Sequence, residues 1–161
     1  MSLNQLVDSR DVRFVIFEML ELEKLKRFER LRDFDRTVYE DTLSLAEKIA
    51  VEKFYPSNAD GDKTGAIFNP EKHEVVLPES FHKGFKAFIE AGFHNLEFPP
   101  ERGGMGMPAT ITMAAQEYFN AGNTSLGMYC TSLTGTAGRS SGRGTRNGSL
   151  SACWRQKKPA P

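Results

Sequence analysis

The segment FPPERGGMGMP, from Phe98 to Pro108, constrains this chain more than any other. Pro99 and Pro100 cannot continue a helix, because each lacks a backbone donor and has a fixed φ. Gly103, Gly104 and Gly106 allow backbone angles and close approaches closed to other residues. On both sides lie stretches of helical periodicity: Phe81, Phe85, Phe88 and Ile89 before it, and Ile111, Ala114, Ala115, Tyr118 and Phe119 after it. The segment therefore reads as a sharp corner between two helices. It is a poor phosphate cradle, since no strand precedes it, no lysine follows the last glycine, and the GxGxxG spacing is absent.

Elsewhere the pattern is also helical. Val12, Val15, Ile16, Met19 and Leu20 form one apolar face, predicting a helix from Asp11 to about Lys26 with Asp11 as its cap. A second helix is expected to start at Asp33 or Asp35, to bury Val38, Thr42, Leu45, Ala46 and Ile49, and to stop before Pro56, with Phe34 as a hydrophobic staple. Residues 56–70, rich in Gly, Pro, Asn and Asp, read as a loop. Ala66–Phe68 and Glu74–Leu77 can pair as a short hairpin. A third helix is predicted from Pro78 to Ala91, a fourth from Pro108 to Ala121, and a fifth from Thr124 or Ser125, behind the Gly122-Asn123 signal. The expected fold is all-α: about five helices, one small hairpin and a disordered C-terminal tail.

The net charge of zero hides an asymmetry. All 21 acidic residues lie between Asp8 and Glu117, while residues 139–161 carry six basic residues and no acid. That switch marks a boundary. RSSGRGTRNGSLSACWRQKKPAP has no apolar periodicity, and only Leu150 and Trp154 are large hydrophobes, so disorder is expected. The chain contains no long apolar run and no secretory pattern, and its two cysteines, Cys130 and Cys153, have no metal-ligand spacing. A cytoplasmic protein with reduced thiols is the expectation, without membrane or nucleic-acid partners.

Two binding-module readings compete on residues alone. Asp60, Asp62, Thr64, Gly65, Ile67 and Glu71 occupy positions 1, 3, 5, 6, 8 and 12 of a calcium loop at 60–71. Against it, Pro70 sits where an exit helix should begin, and EVVLP reads as strand. The basic tail with Trp154 suits a nucleic-acid backbone and one stacked base. His73, His82 and His94 are scattered and lack partners at useful spacing.

Three stretches resemble the acyl-CoA dehydrogenase family, in the family's order: DSRDVRFVIFEMLELEKL, LAEKIAVEKFYPSNADGDKTGA, and FKAFIEAGFHNLEFPPERGGMGMPATITMAAQEYFNAGNTSLGMYC. The first is similar to the N-terminal extension of the subgroup that contains 3-methylmercaptopropionyl-CoA dehydrogenases. The resemblance covers about residues 10–138 and implies three parts: an extension at 1–34, the family's N-terminal helical domain, incomplete, at 35–138, and a basic tail at 139–161. It implies FAD-dependent α,β-dehydrogenation of an acyl-CoA, with electron-transfer flavoprotein as electron acceptor. The family's catalytic glutamate and flavin-contacting stretch come from later domains, so no residue here inherits either role. Catalysis by this chain alone is not expected.

What the resemblance does place here is one wall of the acyl pocket, at Leu126, Gly127, Cys130 and Thr134, whose three- and four-residue spacing shares one helical face. It stops at Gly138, and the tail reads as translation in a shifted frame. A one-base change of phase can turn Lys158-Pro159-Ala160-Pro161 into the Thr-Gly-Thr of the family. A domain separated from its neighbours is also expected to self-associate through exposed apolar surface, with Phe119, Leu126, Met128, Tyr129 and Leu133 as candidates.

Overall fold

A computed structural model describes residues 6–131. Five α-helices are bounded in it: α1 Ser9–Phe14, α2 Arg36–Ile49, α3 Tyr55–Thr64, α4 Glu79–Glu90 and α5 Ala109–Gly122. A sixth, α6, occupies residues 124–131. One antiparallel hairpin, β1 Ile67–Asn69 and β2 Glu74–Val76, stands between α3 and α4. The all-α architecture with a single small β element is as the periodicity predicts.

The N-terminal extension is not the single helix expected. Asp8, rather than Asp11, caps α1, its carboxylate accepting from the amides of Arg10 and Asp11. A π-helical turn, Val15–Met19, follows, and Glu21 at φ 47° then reverses the chain into a 3₁₀ segment, Leu22–Arg27. The reversal buries Leu22 while its charged neighbours stay in water, a gain of roughly 1.5–3 kcal/mol that offsets the cost of a left-handed residue. Arg13 fixes the extension to α2. It donates to Glu40 at 2.7 Å, to Ser44 Oγ at 3.1 Å and to the Ser9 carbonyl at 3.0 Å.

Asp35 caps α2 by accepting from the Val38 amide, and Phe34 stacks on Tyr39 across the cap at 6.1 Å, which is the predicted staple. The buried stripe is Tyr39, Leu43, Ala46 and Ile49, so Leu45, expected inside, is exposed. The helix also does not stop before Pro56. A π-helical turn, Ala50–Phe54, carries it into α3, where Pro56 occupies the first turn and needs no donor. Most of the predicted loop at 56–70 is therefore helix.

Beyond the hairpin, the predicted helices and the corner appear within a residue or two of their expected bounds. All five residues expected to be buried on α5 are buried. The corner closes through backbone bonds, Gly106 N to Phe98 O at 2.7 Å and Met107 N to Leu96 O at 3.0 Å. A side chain at Gly104 would collide with the Phe98 carbonyl at 2.0 Å, so the close approach requires glycine. Behind the corner, Phe119 sits at the centre of an aromatic cluster, 4.9 Å from Phe54, 5.2 Å from Phe88 and 5.0 Å from Phe93. Phe119 and Leu126 are thus core, not exposed surface as expected. Met128 and Tyr129 are exposed, and Leu133 lies outside the described residues.

Candidate functional site

The corner delivers α5, and α5 delivers the helix that carries the predicted wall residues. Gly122 ends α5 against the α2–α3 junction, where a Cβ would lie 2.9 Å from Phe54 Cβ and 3.0 Å from the Ala50 carbonyl. The next residue, Asn123, is 2% exposed. Its side-chain oxygen accepts from the Leu126 amide at 3.0 Å, so Asn123 is the cap of α6. Its amide nitrogen donates to Ser57 Oγ at 2.8 Å, and Ser57 Oγ donates to the Phe54 carbonyl at 2.6 Å. The buried polar groups are thereby satisfied in series, and the start of α6 is pinned to α3.

On this anchored helix Leu126 is fully buried and seats against Gly84 of α4, where a Cβ would come within 2.6 Å of its Cδ2. Cys130, one turn on, is also fully buried, and burial pushes its thiol up to about 12. It is an apolar filler rather than a nucleophile. Gly127 lies between them against α5. A Cβ there would meet Asn120 Oδ1 at 2.2 Å, and the Gln116 amide approaches the Gly127 carbonyl at 3.4 Å. Gln116 and Asn120 are partly exposed, but Gly127 itself is buried. Thr134 lies outside the described residues. Three of the four predicted wall residues therefore share one helix, and all three are buried within the described residues. Sequence reading did not single out Ser57, Gln116 or Asn120; only the Gly122-Asn123 helix-start signal pointed near this arrangement.

The described residues include an open groove and a smaller cavity. An open groove of about 490 Å³ runs along α4, lined by Glu79, His82, Lys83, Phe85, Lys86, Ile89 and Glu90. A cavity of about 180 Å³ lies under the corner, lined by residues 93–98 and Thr112. There burial lowers the pKa of His94, against a backbone hydrogen bond at Ile89 that raises it. Neither fits FAD. The groove is a shallow strip with a charged rim, and the cavity is smaller than the roughly 300–1,000 Å³ of small-molecule sites. The described residues also do not form the calcium loop. Asp60 and Asp62 lie on α3, and the Asp60 carboxylate accepts from Thr64 and Ser80. Among the described residues no three potential ligands converge. No described helix is long and apolar enough to cross a membrane. The basic tail lies outside the described residues.

No family model matches the chain. Individual curated proteins do. The chain is similar to the broad-specificity linear acyl-CoA dehydrogenase FadE5 of Mycobacterium tuberculosis, 32% identical over 120 residues that make up 74% of this chain and 20% of the relative. It is likewise similar to 3-methylmercaptopropionyl-CoA dehydrogenase of Ruegeria pomeroyi, 31% identical over 129 residues, 78% of this chain and 21% of the relative. Fold and matches together define a helical domain of a flavoenzyme class. The chain belongs to the acyl-CoA dehydrogenase family and spans about a fifth of the length of these relatives.

Proposed function

We propose that this chain is the N-terminal helical part of an FAD-dependent acyl-CoA dehydrogenase and supplies one wall of the acyl pocket. The observation that carries the reading is the fixed position of α6, which Asn123 ties to Ser57 while Gly127 lets the helix close against Asn120. A wall must be rigid to discriminate chain length, and this helix is held at its cap and along its buried side. Leu126 and Cys130 back the wall from inside the domain. Gly127 thins it. Proton abstraction and hydride transfer belong to parts of such an enzyme that these residues do not form, so the chain alone is inactive.

The reading is tested by a chimera. Residues 6–131 replace the matched segment of M. tuberculosis FadE5, and flavin content and acyl-CoA oxidation are measured. A folded, flavin-loaded chimera that oxidises acyl-CoA supports it. A folded, flavin-loaded chimera that cannot bind acyl-CoA overturns it.

A further inference from the structure

We propose that Ser9 and Arg13 of the N-terminal extension are positioning residues for the acyl-pocket wall, acting on α6 through the buried hydroxyl of Tyr118 on α5; this rests on the reading of α6 as that wall. Tyr118 has no exposed surface, so its hydroxyl must find its partners inside the protein. They come from the other end of the sequence. The Ser9 side chain hydrogen-bonds to the hydroxyl, and Arg13 Nη1 donates to it at 3.5 Å across 105 residues. Ser9 and Arg13 share one face of α1, four residues apart, and Nη1 also donates to the Ser9 carbonyl at 3.0 Å. The guanidinium is itself held by α2: Nε donates to Glu40 at 2.7 Å, Nη2 donates to Ser44 Oγ at 3.1 Å, and Glu47 lies 3.7 Å from Nη1. Its fork is thus fixed before it reaches Tyr118.

Tyr118 stands where such a tether bears on α6. Gly122, one turn on, lies on the same face of α5 and packs against Phe54 and the Ala50 carbonyl. Asn123 follows it and caps α6. A shift of Tyr118 along the axis of α5 therefore moves the start of α6 with it. The neighbouring Phe119 holds another side of α5 by ring contacts with Phe54, Phe88 and Phe93. Such apolar contacts are non-directional, and packed helices slide over one another by small shear motions. Hydrogen bonds to a fixed guanidinium are directional and resist that slide. Asn123 also ties the junction to α3 through Ser57, so the Tyr118 tether is a second directional hold on it, from the α1 and α2 side. The extension thereby sets where the wall stands, although none of its residues is part of the wall.

The test uses the full chain with Cys153→Ser, where alkylation of Cys130 by iodoacetamide reports release of α6. Tyr118→Phe removes the hydroxyl and keeps the ring, and Arg13→Met removes the donors and keeps the stem. Leu96→Ala is the control, a void in the core under the corner and away from the tether. In both tether variants alkylation should rise about fivefold or more by a route insensitive to urea below the unfolding transition, the mark of local opening. The double variant should go no further, because both changes break the same link. Leu96→Ala should keep the wild-type urea dependence. Rates in Tyr118→Phe that only follow global unfolding overturn the proposal. So does a urea-insensitive route in Leu96→Ala, or an Arg13→Met effect that persists in the Tyr118→Phe background. In the FadE5 chimera, Tyr118→Phe should raise KM for long acyl-CoAs about fivefold with kcat unchanged. A chain-length profile shifted by Gly127→Leu but not by Tyr118→Phe rejects the positioning role alone; one shifted by neither rejects the reading of α6 as a wall.

Discussion

Asn123 donates to Ser57 across 66 residues of sequence, at 2.8 Å and with both side chains almost wholly buried. The bond joins the cap of α6 to the first turn of α3. It fixes the helix carrying Leu126, Gly127 and Cys130 relative to the rest of the core.

Removing either partner leaves a buried polar group unsatisfied. Asn123→Ala should cost about 2–4 kcal/mol, because it loses the cap bond to Leu126 as well. Ser57→Ala should cost about 1–3 kcal/mol. The double variant should cost less than the sum, since each single change already breaks the shared bond. Urea unfolding of the four proteins measures this. Strict additivity would show that the bond does not couple the two helices.

Cys130 should be inert while the domain is folded. Its thiol is pushed up to about 12 and has no exposed surface, so thiolate at neutral pH is negligible. In a Cys153→Ser background, alkylation by iodoacetamide at pH 8 should follow unfolding and rise with urea. Fast modification of the native protein would contradict the packing.

His94 gives the domain a pH dependence of known sign. Burial lowers its folded pKa below the ordinary 6.5, so between the two values the unfolded chain binds more protons. The His94 contribution is therefore complete above pH 6.5 and is lost as pH falls through that value to the folded pKa. His94→Asn should flatten this part of a stability-versus-pH curve. A variant that keeps the wild-type slope would assign it to another group.

Arg13 links the extension to α2, with its side chain three-quarters buried beside Glu40 and Glu47. Arg13→Met keeps the packing of the stem but strips its hydrogen bonds, at a cost of about 1–3 kcal/mol. Amide exchange should rise over residues 9–20 before it rises in α4 or α5. Uniform acceleration would mean the extension and core open as one unit.

What the sequence makes legible here follows from how local the determinants are. α5 and the corner are readable because prolines, glycines and a clean apolar period agree with the final packing. The stripe of α2 is misread because Tyr39 looks amphipathic, whereas it is fully buried in the core with Phe34 stacked on it. α3 is misread because Asn, Asp, Gly and Pro favour loops locally. Here the preceding π-helical turn delivers Pro56 to a first turn where it is tolerated, and Gly61 faces Phe81 so closely that a Cβ would clash at 2.5 Å. In the candidate site, spacing places Leu126, Gly127 and Cys130 on one helix. It does not reveal that all three are buried, because that depends on Gly84, Asn120 and Ser57, contributed by other elements.

The central claim is that α6 borders an acyl chain. The most direct measurement is the chain-length profile of the flavin-loaded chimera, with and without Gly127→Leu, across straight-chain acyl-CoAs. Gly127 is buried, so a side chain there must displace the partly exposed Asn120 and push outward into whatever borders it. At roughly 1 kcal/mol per methylene, preference should move toward shorter chains by several-fold per carbon, with flavin content unchanged. A folded, flavin-loaded variant with an unaltered profile would contradict the account and leave α6 as packing alone.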